Sequence, residues 1–237
     1  MAITPHDIAK MLDHSTLQPF LTEEDIRKGC ELALKYDCAS VCARPCDVPI
    51  LAELLKGSDV KVCTVIGFPH GSHETAIKVA EAELALAEGC TELDMVINIG
   101  KMIAGDTAYV KNEIQQLADA AHAKGAILKV ILETCYLTDE QKITCCRLAE
   151  EAGADFVKTS TGMGTGGATV HDILLLRAVA GDKIQVKASG GVDTRETAYA
   201  MIQAGADRLG VSKVPQIVND DAAMFSASKG NQPPKFD

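Results

Sequence analysis

Short apolar runs alternate with amphipathic helical stretches from Leu12 onward. This alternation is the sequence form of successive strand and helix units around a parallel sheet. A count of eight such runs predicts an α/β protein with a closed (β/α)8 barrel, the TIM barrel. The predicted strands are 11–15, 39–43, 60–67, 92–98, 127–133, 155–159, 184–188 and 208–211.

Signals for helix ends separate these strands. Small polar residues that can cap a helix N-terminus come before helical stretches at Thr4, Thr22, Ser72, Thr138 and Asp193. Glycines suited to the left-handed position after a helix are Gly89, Gly125, Gly153, Gly181 and Gly205. The first cap predicts an extra N-terminal helix over 4–11. The whole chain, 1–237, is expected to be one barrel domain, with 228–237 as a flexible tail.

The chain is acidic, with a formal net charge of −10 and a pI near 5.1. It has no basic runs with interleaved aromatic residues, so nucleic acid and anionic membrane surfaces are not expected partners. No apolar run approaches the roughly 20 residues that cross a bilayer, and the N-terminus lacks a signal-peptide pattern. The expected partner is a small molecule.

The cysteine content indicates a reducing compartment. Nine cysteines are present, an odd number in a chain that is not short, which favours a cytoplasmic protein with free thiols. Cys38, Cys42 and Cys46 recur every four residues and could suggest a metal cluster. Structural thiols are the favoured interpretation, because the first two are expected on a strand and the third at a helix start.

Two lysines lie at the carboxyl ends of predicted strands, where the active site of such a barrel gathers. These are Lys158 and Lys187, whereas Lys61 and Lys129 stand near strand beginnings, where solvent explains them. A lysine amine becomes a good nucleophile when it is desolvated or lies beside another cation. Lys158 is therefore a candidate for forming a Schiff base. Position alone leaves a structural role, at the barrel rim or in an ion pair, equally open.

Asp94 interrupts a run that otherwise suits a buried strand. A buried carboxylate is unfavourable unless it is paired, and its natural partners across a narrow barrel are the two strand-end lysines. Such a cluster of Lys158, Asp94 and Lys187 could move protons on and off a bound substrate. The alternative is an ion pair that only stabilises the core.

Glycine-bearing loops follow the last two predicted strands. Backbone amides in these loops are a common phosphate site of this fold, which makes Gly190, Gly191, Gly210 and Ser212 candidate phosphate ligands. A third glycine-rich stretch, 161–167, follows the sixth strand and could approach the substrate or flex as a lid. Its first residue, Thr161, is a candidate substrate-binding residue. This stretch is no dinucleotide fingerprint, because it comes late and lacks the acidic residue about 20 positions onward.

Five motifs, in this order and on these strands, resemble the deoxyribose-phosphate aldolase family: LDHST, GFP, ELDMVIN, VKTSTG and VKASGG. The resemblance runs from about Leu12 to Ser212. It implies reversible cleavage of 2-deoxy-D-ribose 5-phosphate into D-glyceraldehyde 3-phosphate and acetaldehyde, without metal or organic cofactor. It also implies a homodimer or a higher homo-oligomer.

The same resemblance implies roles for individual residues. Lys158 matches the family's Schiff-base lysine, and Lys187 matches a second lysine that keeps the first one nucleophilic. Asp94 matches an aspartate that works with the second lysine in proton transfer. Asp13 and Cys42 match positions that contact substrate hydroxyls or line the pocket.

The chain departs from the family's pattern near the expected phosphate site. Some members carry a lysine where Met163 stands and a serine where Lys213 stands. We hypothesise that Lys213 supplies the displaced cation. Some members also end in a tyrosine that reaches the active site, whereas the last tyrosine here is Tyr199.

Two rival functions are weighed against this one. A metal-dependent aldolase could use His70 and His73, but two histidines without a clear third ligand make a weak metal site. A barrel that binds a phosphosugar without catalysis is the other rival. The intact set of two lysines and one aspartate counts against it.

Overall fold

The parallel barrel is closed in the computed structural model, which describes residues 3–219. Its strands are β1 (Leu12–Thr16), β2 (Ser40–Ala43), β3 (Lys61–Ile66), β4 (Glu92–Val96), β5 (Ile127–Ile131), β6 (Phe156–Lys158), β7 (Gln185–Ser189) and β8 (Arg208–Val211). Each strand pairs with the next in chain order, and β8 pairs with β1. The predicted TIM barrel is confirmed.

Helices lie between successive strands and at both ends of the described chain. They are α1 (Pro5–Ala9), α2 (Glu23–Tyr36), α3 (Val48–Leu54), α4 (Thr75–Ala87), α5 (Ile99–Ile103), α6 (Thr107–His122), α7 (Asp139–Glu151), α8 (Val170–Ala180), α9 (Arg195–Gln203) and α10 (Val214–Val218). The extra N-terminal helix is thus confirmed as α1. No helix among residues 3–219 has the length and apolar content that a membrane crossing requires. The predicted tail, 228–237, lies outside the described residues.

Side-chain caps fix where several of these helices begin. Predicted caps are confirmed at Thr4, Thr22 and Thr138. Two predicted caps are wrong. Helix α4 begins after Glu74 rather than Ser72, and α9 begins after Thr194 rather than Asp193. At α9 the Thr194 hydroxyl accepts a hydrogen bond from the Thr197 amide, so the side-chain cap lies one residue later than predicted.

Predicted and observed strand ends agree to within two residues, with the largest differences after β4 and β5. There the chain has already left the sheet. The Asn98 side chain caps α5 by accepting from the Lys101 amide at 3.1 Å. Glu133 adopts a left-handed conformation with φ of 55°. The predicted helix-ending glycines also have positive φ: Gly89, Gly125, Gly153, Gly181 and Gly205.

Alternation along the strands separates two packed regions. Leu93 and Val186 belong to the main hydrophobic core, which includes residues of both the sheet and the surrounding helices. Their strand neighbours Asp94 and Lys187 contact each other inside the barrel instead. Successive strand residues point to opposite faces, so a polar barrel interior coexists with an apolar layer around it.

Candidate active site

Lys158 and Lys187 are register neighbours on β6 and β7, near the carboxyl ends of the strands. Their Nζ atoms donate to the same oxygen, Oδ2 of Asp94, at 2.7 and 2.8 Å. All three side chains are buried, with Lys158 3% exposed, Lys187 1% and Asp94 0%. The structure therefore brings together the lysines and the aspartate that the sequence singled out.

Lys129 is a third lysine of this site, and the prediction that it faces solvent is wrong. It is fully buried on β5, and its Nζ donates to Asp94 Oδ1 at 2.8 Å and lies 2.6 Å from Glu92 Oε2. Its register partner on β4 is Asp94. Lys61, by contrast, is exposed at the start of β3, as predicted. Glu92 lies two residues before Asp94, so period-two alternation was the signal that both face inward.

Asp13 links this group to the opposite wall of the barrel. Its Oδ1 accepts from Ser40 Oγ at 2.7 Å and from Arg208 at 2.6 Å, and its Oδ2 accepts from Lys187. Arg208 also reaches Glu92, at 3.3 Å. The connected side chains, called the interior charge cluster below, are Asp13, Glu92, Asp94, Lys129, Lys158, Lys187 and Arg208.

Opposite charges keep most of this cluster ionised in spite of burial. Burial alone would raise the pKa of Asp94, but three surrounding ammonium groups hold it well below its usual value. Burial likewise acts to lower the pKa of Lys187, yet the carboxylates of Asp13 and Asp94 raise it above its usual range. The pKa of Lys129 is raised for the same reason, chiefly by Asp94. Lys187 and Lys129 are therefore held as cations.

A cavity of about 350 Å³ opens above the cluster at the carboxyl ends of the strands. Sequence-predicted residues that line it are Asp13, Cys42, Lys158, Thr161, Lys187, Gly190, Gly191, Gly210 and Ser212. The remaining lining residues include members of the predicted glycine-bearing segments, namely Gly162, Met163, Ser189, Val192 and Val211. Those outside the segments expected at the substrate are Ser15, Leu17, Gln18 and Asp193. Asp94 lies beneath this lining, in contact with the two lysines of the floor.

The glycines of the cavity wall are required by geometry. Gly190 and Gly191 have φ of 83° and 77°, values that side chains disfavour. A Cβ atom on Gly210 would lie 2.9 Å from the Ser189 Cβ and 3.4 Å from the Lys187 Cε. Glycine at this position therefore leaves room for the Lys187 side chain to reach the cavity floor.

Lys213 lies beside the cavity rather than in its lining. Its Nζ is 3.3 Å from the carboxylate of Asp193, a lining residue that was expected only as a helix cap, and both side chains are about half exposed. The ammonium thus offsets a negative charge at the cavity wall.

Glu133 is a further residue that sequence reasoning missed. It is buried, and its carboxylate accepts from the backbone amide and the hydroxyl of Thr161, at 3.2 Å for the amide. Burial raises its pKa, although the Thr161 hydrogen bonds oppose that shift. The signal was the one that revealed Asp94, an acidic residue attached to an apolar strand.

Among residues 3–219, three side chains that could ligate a metal ion come close together at one place. The Cys42 and Cys63 thiols and an Asp94 oxygen all lie within 4.8 Å of one another. Three ammonium groups already bond to Asp94, and their charge opposes a cation there. The sequence candidates that do not belong to this group are Cys38, Cys46, His70 and His73.

Comparisons with known proteins show which proteins the chain resembles. A family model described as DeoC/LacD family aldolase matches residues 3–214. A deoxyribose-phosphate aldolase of Thermococcus gammatolerans is 56% identical over 214 residues, covering 90% of this chain and 95% of that protein. Its counterpart in Bacillus cytotoxicus is 53% identical over 215 residues, covering 91% and 96%. The Aeropyrum pernix deoxyribose phosphate aldolase, described as having a unique tetrameric structure, has a TM-score of 0.86 at 32% identity, covering 94% of this chain and 93% of that one.

Proposed function

Because the chain belongs to the DeoC/LacD family of aldolases, we propose that it is a class I deoxyribose-phosphate aldolase. It cleaves 2-deoxy-D-ribose 5-phosphate reversibly to D-glyceraldehyde 3-phosphate and acetaldehyde. One observation carries the mechanism. Lys158 and Lys187 share a single carboxylate oxygen of Asp94 at the floor of a substrate-sized cavity.

Charge balance supports Lys158 as the nucleophile. The interior charge cluster holds four basic and three acidic side chains, so a neutral Lys158 leaves three charges of each sign. Among the described residues, Lys158 contacts one carboxylate, whereas Lys187 and Lys129 each contact more than one. A neutral amine adds to the C1 aldehyde of the open-chain sugar and loses water, which forms the Schiff base.

The protonated imine then accepts electrons from the C2–C3 bond. As that bond breaks, a base removes the C3 hydroxyl proton, D-glyceraldehyde 3-phosphate leaves, and an enamine remains on Lys158. Protonation at C2 and hydrolysis release acetaldehyde and restore the amine. Asp94 and Lys187, bonded at 2.8 Å, are the groups we assign to this proton transfer, through water.

The cavity walls suit the rest of the substrate. Backbone amides of Gly190, Gly191 and Ser212 are proposed to bind the phosphate, with Lys213 reducing the repulsion from Asp193. Asp13, Cys42 and Thr161 are proposed to contact the sugar hydroxyls or shape the pocket.

We further infer a single-domain, cytoplasmic enzyme that works as a homodimer or higher homo-oligomer, without metal or organic cofactor. The structure describes all nine cysteines, and each is a free thiol, as expected in a reducing compartment. The tetrameric description of the Aeropyrum pernix relative supports self-association, and sedimentation of the purified chain measures it.

Trapping with borohydride tests the nucleophile. Acetaldehyde and borohydride together are expected to leave an ethyl group on Lys158, because reduction makes the Schiff base permanent. Trypsin does not cleave after an alkylated lysine, so the residues 148–177 should appear as one peptide. The peptide that ends at Lys187 serves as the internal control and should stay unmodified. An ethyl group at Lys187, or none at either lysine, contradicts the mechanism.

A single-turnover assay separates this function from its rivals. Deoxyribose 5-phosphate is expected to be cleaved much faster than unphosphorylated deoxyribose, and excess chelator should leave the rate unchanged. Binding without cleavage would support a phosphosugar-binding barrel. Loss of activity in chelator, restored by a divalent metal, would support a metal-dependent aldolase.

A further inference from the structure

Two thiols face each other inside the barrel, on neighbouring strands. Cys42 on β2 and Cys63 on β3 are register partners. Neighbouring strands lie about 4.8 Å apart, which is within the Cα separation of roughly 4.4–6.8 Å that disulfides span. The two Sγ atoms already lie within 4.8 Å of each other. Rotation of the side chains, without a change of the sheet, is therefore enough to join them.

The two thiols differ in access to solvent. Cys42 lines the cavity above the interior charge cluster and is 2% exposed, so the cavity is the route by which a small peroxide would approach it. Cys63 is fully buried and does not line that cavity. An accessible thiol with a second thiol behind it is the arrangement found in cysteines that are oxidised reversibly.

Electrostatics make Cys42 the more reactive member of the pair. The neighbouring Cys63 thiol, as a hydrogen-bond donor, lowers the pKa of Cys42, and Lys187 and Lys158 add to this effect against burial and Asp94. Burial raises the pKa of Cys63 well above its usual value. The thiolate is the nucleophilic form of cysteine, so Cys42 is expected to react first.

We propose that Cys42 and Cys63 form an oxidation site, in which a hydroperoxide oxidises Cys42 and Cys63 resolves the product as a reversible disulfide. With hydrogen peroxide, the Cys42 thiolate attacks one oxygen, the O–O bond breaks, and a sulfenic acid and water form after uptake of a proton. The Cys63 sulfur then attacks the Cys42 sulfur, and the departing hydroxide takes the Cys63 proton as water. In sum, two thiols and one peroxide give one disulfide and two waters.

The resolving step protects the aldolase site from further oxidation. Without it, a sulfenic acid at Cys42 proceeds to a sulfinic acid, which is not reduced by ordinary thiols. A sulfinate at that position would place a permanent negative charge near Lys158, Lys187 and Asp94. A disulfide between β2 and β3 adds no charge and is reversed by a thiol reductant.

Peptide mapping tests the oxidation site without depending on the proposed aldolase reaction. The reduced full-length chain is treated with small excesses of hydrogen peroxide, blocked with N-ethylmaleimide in denaturant and digested with trypsin. The tryptic peptides 36–56 and 62–78 are expected to be linked, with fragmentation placing the bond at Cys42 and Cys63. Dithiothreitol should release both peptides in unmodified form.

Variants and an internal control decide the assignment. Cys46→Ser removes the exposed thiol of the first peptide and should leave the link intact. Cys63→Ala, or Cys63→Ser if alanine impairs folding, should convert Cys42 to the sulfinic acid under the same treatment. Cys145 and Cys146 are adjacent buried thiols away from the cavity and should remain reduced. Absence of the link in the unaltered chain, or equal sulfinic acid at Cys42 with and without Cys63, overturns the proposal.

Discussion

Two sets of largely buried charges lie at different places in this barrel. One is the ion pair between Lys78 on α4 and Glu113 on α6, whose Nζ and Oε1 atoms are 2.7 Å apart. The other is the interior charge cluster. Burial lowers the pKa of Lys78 and raises that of Glu113, so each moves towards its neutral form. In the cluster, the pKa values of Lys187 and Asp94 move in the opposite directions.

The difference follows from the number of partners. Lys78 has one buried carboxylate and the Val96 carbonyl oxygen as acceptors. Three ammonium groups contact Asp94, and their summed attraction exceeds the desolvation cost of the buried carboxylate. In the Lys78–Glu113 pair, one opposite charge does not offset that cost. A network of charges can therefore keep ionised groups inside a barrel, ready for proton transfer, where an isolated pair only joins two elements.

Removing the central carboxylate should break the function of the cluster but not that of the isolated pair. Asp94→Asn is expected to lower kcat by about 10²–10⁴-fold, the usual contribution of a positioned proton-transfer group. Glu113→Gln is the matched control. It should reduce stability while leaving kcat of the folded protein nearly unchanged. Steady-state kinetics and circular dichroism measure the two effects, and a similar loss of kcat in both variants would remove the distinction.

Lys129 offers a sharper test, because it is a positioning residue within the cluster. Lys129→Met and Lys78→Met each remove one partner of a buried pair, and each should lower the free energy of unfolding by about 3–5 kcal/mol. The first alone should also lower kcat, by up to about 100-fold, through misplacement of Asp94. Lys129→Met should also shift the acid limb of the pH–rate profile to higher pH, because the pKa of Asp94 rises without this cation.

Lys129→Arg keeps the positive charge and is expected to restore the pH profile in part. If Lys129→Met loses stability but keeps the kcat and pH profile of the original chain, Lys129 is purely structural.

Lowering the pH should change the stability contributions of Asp94 and Glu113 in opposite directions. The folded-state pKa of Asp94 lies below its unfolded value of 3.8, so its contribution to stability is complete above that pH and is lost as the pH falls. The stability difference between the original chain and Asp94→Asn should thus shrink by about 1.4 kcal/mol per pH unit below that value.

Glu113 has a folded-state pKa above its unfolded value of 4.5. The stability difference between the original chain and Glu113→Gln should therefore grow as the pH falls through the folded-state value. Urea unfolding between pH 3 and 7 (about the range in which carboxyl groups titrate) measures both trends. Trends of the same sign would contradict the assigned shifts.

An exposed pair should matter least. Lys213 and Asp193 lie at the cavity wall with both side chains about half exposed, and such pairs contribute little. Lys213→Ala is expected to raise KM for the phosphorylated sugar by only about 2- to 5-fold, the range of an exposed ion pair, with kcat retained. The KM for unphosphorylated deoxyribose should not change. A large fall in kcat would place Lys213 at the reaction instead.

Much of the fold and part of the site could be predicted from local patterns. Alternating apolar runs and glycines after helices identify the strands, because they depend on near neighbours in the chain. Lys158 and Lys187 were identified as candidates because they lie at the carboxyl ends of strands, where the active site of such a barrel forms. Asp94 was identified because it is a carboxylate within an otherwise apolar strand. The resemblance to a known family supplied the substrate.

The sequence by itself thus determined the barrel and the residues that differ from the pattern around them. Only the tertiary structure decided which of them meet, since contacts across a barrel depend on strand tilt and stagger. It placed Lys129 on Asp94, the Cys42 thiol opposite Cys63, and Lys213 beside the cavity wall. These outcomes depend on strand register and on the approach of segments that are not neighbours in the chain, which no local pattern encodes.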